Sequence, residues 1–339
     1  MRWMQLASPH TLHSLTTAQV MRQVMLACLP GIAALSFFFG PGVLINILLA
    51  CLSCVAAEAL VLYWRQRSWR CLHDGSALLT GLLLGICLPA TAPWWIPISG
   101  GFFAILCAKQ LFGGLGQNPF NPAMAAYALL LVSFPLPMSQ WPLPLTLDSI
   151  EGWRSVAHLD GWTGATALDA WRNKGLLMAD EFWASGQLLP EMLHAWAWVA
   201  GAWCLGGGYL LWRRLIPWHT PVAFFATIFL AGALVWGWDT SHQAPPWLHF
   251  AAGSVVFAGF FILTDPVSGA TSLRGKVYFA IGVGLLVISI RTWGSYPDGV
   301  AFSVLLMNAA APALDYFTRP RIYGQDKAVR GMRHQEPKK

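Results

Sequence analysis

Apolar residues run along this chain in blocks of membrane-spanning length, and Gly, Pro and charged residues collect between them. Ten such blocks predict helices at 24–40, 43–63, 76–90, 95–112, 122–137, 195–212, 220–237, 246–263, 277–292 and 298–316. Each carries enough apolar length to cross a bilayer, with 76–90 and 277–292 the shortest. The expected fold class is therefore an all-α polytopic membrane protein with about ten transmembrane helices. The longest polar interval, 138–194, is acidic and contains helix-like stretches such as A-L-D-A-W-R-N-K-G-L-L, which favours a small ordered cap.

The blocks divide the chain into a first five-helix half (24–137), the long loop (138–194) and a second five-helix half (195–316). A short N-terminus (1–23) and a basic tail (317–339) flank them. The stretch 76–93 echoes 254–270, and 118–131 faintly echoes 296–307. With five spans per half, the second half enters the membrane from the opposite side, giving an inverted 5+5 repeat.

Composition agrees: 56% of residues are hydrophobic and 11% charged, against about 25% charged in soluble domains. Nineteen Trp suit two interfacial belts. The net charge of +6 does not indicate nucleic acid, because no basic run is interleaved with aromatics. It indicates orientation instead. With the N-terminus in the cytoplasm, 17 of the 21 Lys and Arg fall on the inner side and four on the outer. Both termini are thus expected inside and the 138–194 loop outside. The seven Cys lie mostly in apolar runs, and Cys51 and Cys54 are read as small buried filler.

One pattern occurs twice: D-G-W-T-G-A-T at 160–166 and D-P-V-S-G-A-T at 265–271. A G-A-T run has two readings: a turn or helix start whose threonine caps or packs, or a backbone left open at Gly164 and Ala165 so that a modifying enzyme reaches the Thr166 hydroxyl as a nucleophile toward a nucleotide phosphate. The second copy faces the cytoplasm, where Pro266 stops a span and Ser268 or Ser272 can cap the next helix. A second informative stretch, G-G-L-G-Q-N-P-F-N-P-A (113–123), is no phosphate loop, since no G-K-[S/T] comes after it. Its two Asn-Pro steps force extended backbone and leave amides free to donate and accept. Ionisable residues in or beside spans are Glu58, Lys109, Asp265 and Asp315. Lys109 can snorkel to the inner face, and Asp315 can pair with Arg319 or Arg321. Glu58 has no obvious base nearby and is the candidate for an ion path or for anchoring a partner helix. No catalytic triad or metal-ligand spacing is present in the sequence.

T-G-A-T-A-L resembles the S-G-A-T-P-L type of flavinylation signal in the D subunit of the Rnf electron-transport complex, a signal also found in the B subunit of the sodium-pumping NADH:quinone oxidoreductase. The likeness extends over nearly the whole chain, through S-A-L-L-T-G-L-L-L (76–84), A-K-Q-L-F-G-G-L-G-Q-N-P-F-N-P-A (108–123), F-F-I-L-T-D-P (260–266), Y-P-D-G-V-A-F (296–302) and D-Y-F-T-R-P-R (315–321). The sequence departs from the family pattern at Ala167, where proline is common, and at Thr163, where serine is common. The resemblance implies FMN joined through its phosphate to Thr166 by a transferase working outside the cytoplasm, with Asp160, Thr163, Gly164 and Ala165 forming the signal. It further implies riboflavin held with the help of Asn118 and Asn121. It also implies a bacterial inner-membrane complex that moves electrons between reduced ferredoxin and NAD, coupled to sodium ions or protons. Partners would be the other subunits, among them a second carrier of covalent FMN. The competing classes are a secondary transporter of inverted-repeat type without a redox cofactor, and a membrane scaffold; neither has use for a flavinylation signal.

Overall fold

The structure, a computed structural model, describes residues 16–144, 163–164, 166–175, 177–185, 190–296 and 298–319. Asp160 and Ala165 of the signal lie outside the described residues. The first half contains α1 (Thr17–Phe39), α2 (Gly42–Trp64), α3 (Ser76–Cys87), α4 (Trp95–Ile105, widening into a π turn over Leu106–Gln110), α5 (Pro122–Ser133) and the short α6 (Pro135–Ser139). Two short helices, α7 (Ala167–Arg172) and α8 (Ala179–Ala184), form the cap. The second half contains α9 (Pro190–Trp212), α10 (His219–Trp238), α11 (Leu248–Ala251), α12 (Val255–Phe257, leading into a π turn over Ala258–Ile262), α13 (Leu273–Trp293) and α14 (Val300–Thr318). A two-residue antiparallel ladder joins β1 (Trp141–Pro142) to β2 (Thr163–Gly164), with Trp141 opposite Gly164.

Local chemistry sets the helix starts. Thr16 and Gln19 form a capping box at α1. Asn121 accepts from the amides of Ala123 (3.1 Å) and Met124 (3.3 Å), and Pro122 stands at the first helical position, so N-P starts α5. Ser272 caps α13 through the Gly275 amide at 2.9 Å. Helices fall within each predicted block, and the largest displacement is at α1, which starts at 17 instead of 24.

Among the described residues, five helices are long and apolar enough to cross a membrane: α1, α2, α10, α13 and α14. Leu44, Leu48 and Leu52 on α2, and Leu230 and Leu234 on α10, stand exposed, as lipid-facing side chains do. In the block 246–263 the helix is interrupted at 252–254, and Gly253 has a φ of +85°. Small residues set the close crossings. A Cβ on Gly81 would lie 2.6 Å from Cys51 Cα, and one on Gly85 would lie 2.5 Å from Ile47 Cα. The G-x-x-x-G of α3 thus lies directly on the α2 backbone. Gly31 of α1 receives the ring of Trp203 from α9 in the same manner.

Candidate functional site

The loop after α5 turns through Trp141, which pairs with Gly164, so the ladder fixes the residue two before Thr166. Thr166 then starts α7 in extended conformation and caps it. Its Oγ accepts from the Asp169 amide at 3.2 Å and donates to Asp169 Oδ2 at 2.9 Å. Burial pushes the Asp169 carboxyl above its ordinary pKa, against the lowering effect of the two Thr166 hydrogen bonds. The sequence signal for Asp169 is the T-x-x-D spacing of a helix cap and its third residue.

Below this cap lies a half-open cavity of about 530 Å³ lined by residues of both halves. Thr166 and Asp169 line it from the cap, Tyr127 from α5, Trp196 and Trp203 from α9, and Asp298 from the turn before α14. The lining is predominantly apolar with a few polar groups, as in pockets for planar organic ligands. The Nε1 of Trp196 is buried and has no hydrogen-bond partner among the described residues.

The cap is tied to the second half. The Arg172 guanidinium donates to the carbonyls of Arg291 (3.1 Å) and Gly294 at the end of α13. Arg291 pairs with Asp298 at 3.1 Å, and Asp298 accepts from the amide (3.0 Å) and hydroxyl (2.6 Å) of Ser254 at the helix break. Lys174 donates to the His242 carbonyl at 2.8 Å and lies 3.9 Å above the Trp171 ring. Burial holds the Lys174 ammonium below its ordinary pKa, partly offset by Asp239.

The second copy of the pattern stands at the opposite end of the bundle and has other work. Asp265 accepts from the Ser268 hydroxyl at 2.7 Å and the Val267 amide at 3.1 Å, closing a turn. Thr271 is exposed, and its amide donates to Asp315 at 2.8 Å. Asp315 thus caps a chain turn; of the two partners expected for it, Arg319 makes no ion pair with it among the described residues and Arg321 lies outside them. Beside this turn, Asn121 Nδ2 makes a long 3.5 Å contact with Asp265. In the amide orientation that satisfies both ends, Asn308 accepts from the Asn121 amide at 3.0 Å and donates to the Ser268 carbonyl at 3.1 Å. Asn121 is therefore committed to the fold. Asn118 donates to the Phe120 carbonyl at 3.0 Å, while its buried Oδ1 has no partner among the described residues.

Glu58 is not without a base. Lys109, expected to reach the surface, is 1% exposed and meets Glu58 Oε1 at 2.6 Å. The π turn in α4 places Lys109 and Gln110 side by side on α2, and Gln110 also donates to Oε1 at 2.8 Å. Lys109 further donates to Ser76 Oγ at 2.6 Å, and Ser76 donates to Asp74 Oδ1 at 2.6 Å. An unbroken hydrogen-bonded chain thus runs from partly exposed Asp74 to Glu58, whose Oε2 has no partner among the described residues.

These features define a helical membrane protein with a threonine-bearing cap over a central cavity. The model of the family described as NQR2, RnfD, RnfE matches residues 4–324. Several curated relatives carry the name of the D subunit of an ion-translocating oxidoreductase complex. That of Pseudomonas aeruginosa (strain UCBPP-PA14) is 47% identical over 334 residues, covering 96% of this chain and 97% of the relative. That of Ectopseudomonas mendocina (strain ymp) is 48% identical over 337 residues, covering 97% and 98%. That of Escherichia coli O1:K1 / APEC is 43% identical over 345 residues, covering 95% and 98%. The chain belongs to the NQR2/RnfD/RnfE family.

Proposed function

We propose that this chain is the D subunit of a bacterial ion-translocating oxidoreductase complex of the ferredoxin:NAD type, carrying FMN joined through its phosphate to Thr166. The observation that carries this reading is the position of Thr166: a capping hydroxyl on the wall of a cavity large enough for a flavin ring. Thr271, in the same seven-residue pattern, is exposed in a turn and does not line that cavity; its amide is held by Asp315 and the Asp265 carboxylate of its copy is taken by Ser268 and Val267. Bound flavin supplies one-electron transfer between the chain's neighbours in the complex. The chain's own residues anchor it at Thr166, close the cavity with the cap and hold the cap down through Arg172.

Ten membrane-crossing segments in an inverted 5+5 arrangement suit the packing. Helix α2 lies on α4 as α10 lies on α13, α4 meets α5 as α13 meets α14, and the halves join through α1 with α9 and α5 with α14. The excess of Lys and Arg at the end opposite the cap supports cytoplasmic termini in the inner membrane and a cap facing outward, where a flavin transferase acts. Partners are the other subunits, including a second carrier of covalent FMN. Coupling is to sodium ions or protons, and Glu58, reached through Asp74, Ser76 and Lys109, is the ion-path candidate. Asn118, with its free acceptor, is the better of the two asparagines for riboflavin, and Asn121 serves by shaping the turn.

The test is ultraviolet fluorescence of the denatured protein on a gel after co-expression with a flavin transferase. The band is expected to vanish in Thr166→Ala and persist in Thr271→Ala. Absence of a band in the wild type, with the transferase active on a control, overturns the reading.

A further inference from the structure

We infer that the cavity under the cap seats the isoalloxazine ring of the flavin, with the Trp196 indole N–H and the Tyr127 hydroxyl as the ring's polar partners; the inference rests on attachment at Thr166. A buried donor without a partner keeps its desolvation cost with nothing to offset it. The Trp196 Nε1 is such a donor, and its ring borders the same cavity as Thr166. An isoalloxazine offers what this group lacks, because its pyrimidine edge presents nitrogen and oxygen acceptors. Tyr127, on the α5 side of the cavity, can both donate and accept, as that edge requires.

The indole is held in place. Trp196 packs against Phe39 at 4.9 Å and Trp141 at 5.2 Å between ring centroids. Trp141 is also the ladder partner of Gly164, two residues before Thr166. One short ladder therefore positions the anchor and, through Trp141, the donor. Trp203 and Phe257, 4.7 Å apart, supply apolar wall for the faces of a planar ring. The carboxylates of Asp169 and Asp298 also face the cavity, which disfavours a further anion inside it. The phosphate accordingly stays at the rim on Thr166, and the uncharged ring enters.

The test uses the full chain, loaded by the transferase and purified in detergent. Covalent loading is read on denaturing gels. Native flavin emission and its quenching by iodide are read on the same samples. The seated ring is expected to be dim and protected from iodide in the wild type. Trp196→Phe, which keeps an aromatic ring but removes the N–H and the electron-rich indole, is expected to raise native emission severalfold at equal loading. Tyr127→Phe is expected to shift the visible absorption bands at equal loading. Wild-type emission and iodide quenching equal to those of free FMN would overturn the seat even if the variants misfold. Unchanged emission in a well-folded Trp196→Phe would overturn the assignment of that residue. Failure of wild type to load would overturn attachment at Thr166 instead, and the seat with it.

Discussion

Asp169 and Glu58 are both carboxylates out of bulk water, with opposite surroundings. Asp169 faces a cavity and its proton is held more tightly than in the unfolded chain, because burial raises its pKa. That contribution to stability is complete below the ordinary carboxylate range and is lost as pH rises through the raised value. Thermal midpoints followed by Trp emission are expected to fall across this window, and less steeply in Asp169→Asn. Glu58 instead holds an ammonium at 2.6 Å with almost no exposure. Removing one member strands a buried charge, so Lys109→Met is expected to cost about 3–5 kcal/mol, and Glu58→Gln with Lys109→Met to recover most of it. Midpoints of the single and double variants measure this. Acid extraction checks the inner asparagine: non-covalent riboflavin is expected from the wild type and less from Asn118→Ala. At this scale the sequence was half legible. The repeated pattern singled out Thr166, but the Glu58–Lys109 pair spans 51 positions and depends on a π turn with no sequence signal.

Among elements, glycines decide which helices touch. Gly81→Ala drives a Cβ into α2 and is expected to lower the thermal midpoint, whereas Gly201, with open space around it, is expected to tolerate alanine. Gly253 combines a φ of +85° with Leu168 of the cap, where a Cβ would come within 2.6 Å. Gly253→Ala therefore strains the break and lifts the cap together. Arg172→Ala removes two charge-assisted hydrogen bonds, worth about 1.5–3 kcal/mol each. Faster amide exchange over 167–172, read by mass spectrometry, is its expected signature. Helix positions were legible because apolar length and N-P or Ser-x-x starts are local signals. The interruption at 252–254 was not, since its apolar flanks conceal it, and neither was the latch that Arg172 makes across 119 positions.

For the whole molecule, two ends differ in charge and in content: one holds the cap and cavity, the other Arg65, Arg67, Arg213, Arg214, Arg274 and Lys276. A phosphatase domain fused after residue 178 is expected to be active and one fused after 217 inactive, as only a translocated fusion folds with its disulfides. The reverse pattern would invert the proposed orientation. Class was legible because hydropathy is a property of composition. The cavity was not, because it arises from α1, α5, α9 and the break meeting beneath the cap.

The duplicated seven-residue pattern also poses an addressing problem. An enzyme reading only those letters would find two equivalent destinations in one polypeptide, at opposite ends of the bundle. In one, the acidic residue that opens the pattern is spent on a serine three places on, and the threonine's amide is held by Asp315. In the other, the threonine hydroxyl is presented on a clipped, capped surface above a hollow. If Thr166 is the attachment point proposed above, the letters are an incomplete label and compartment and shape carry the rest of the instruction. Under the proposed attachment, D-G-W-T-G-A-T moved alone into an unrelated exported loop is expected to accept flavin poorly unless the clip at Trp141 travels with it.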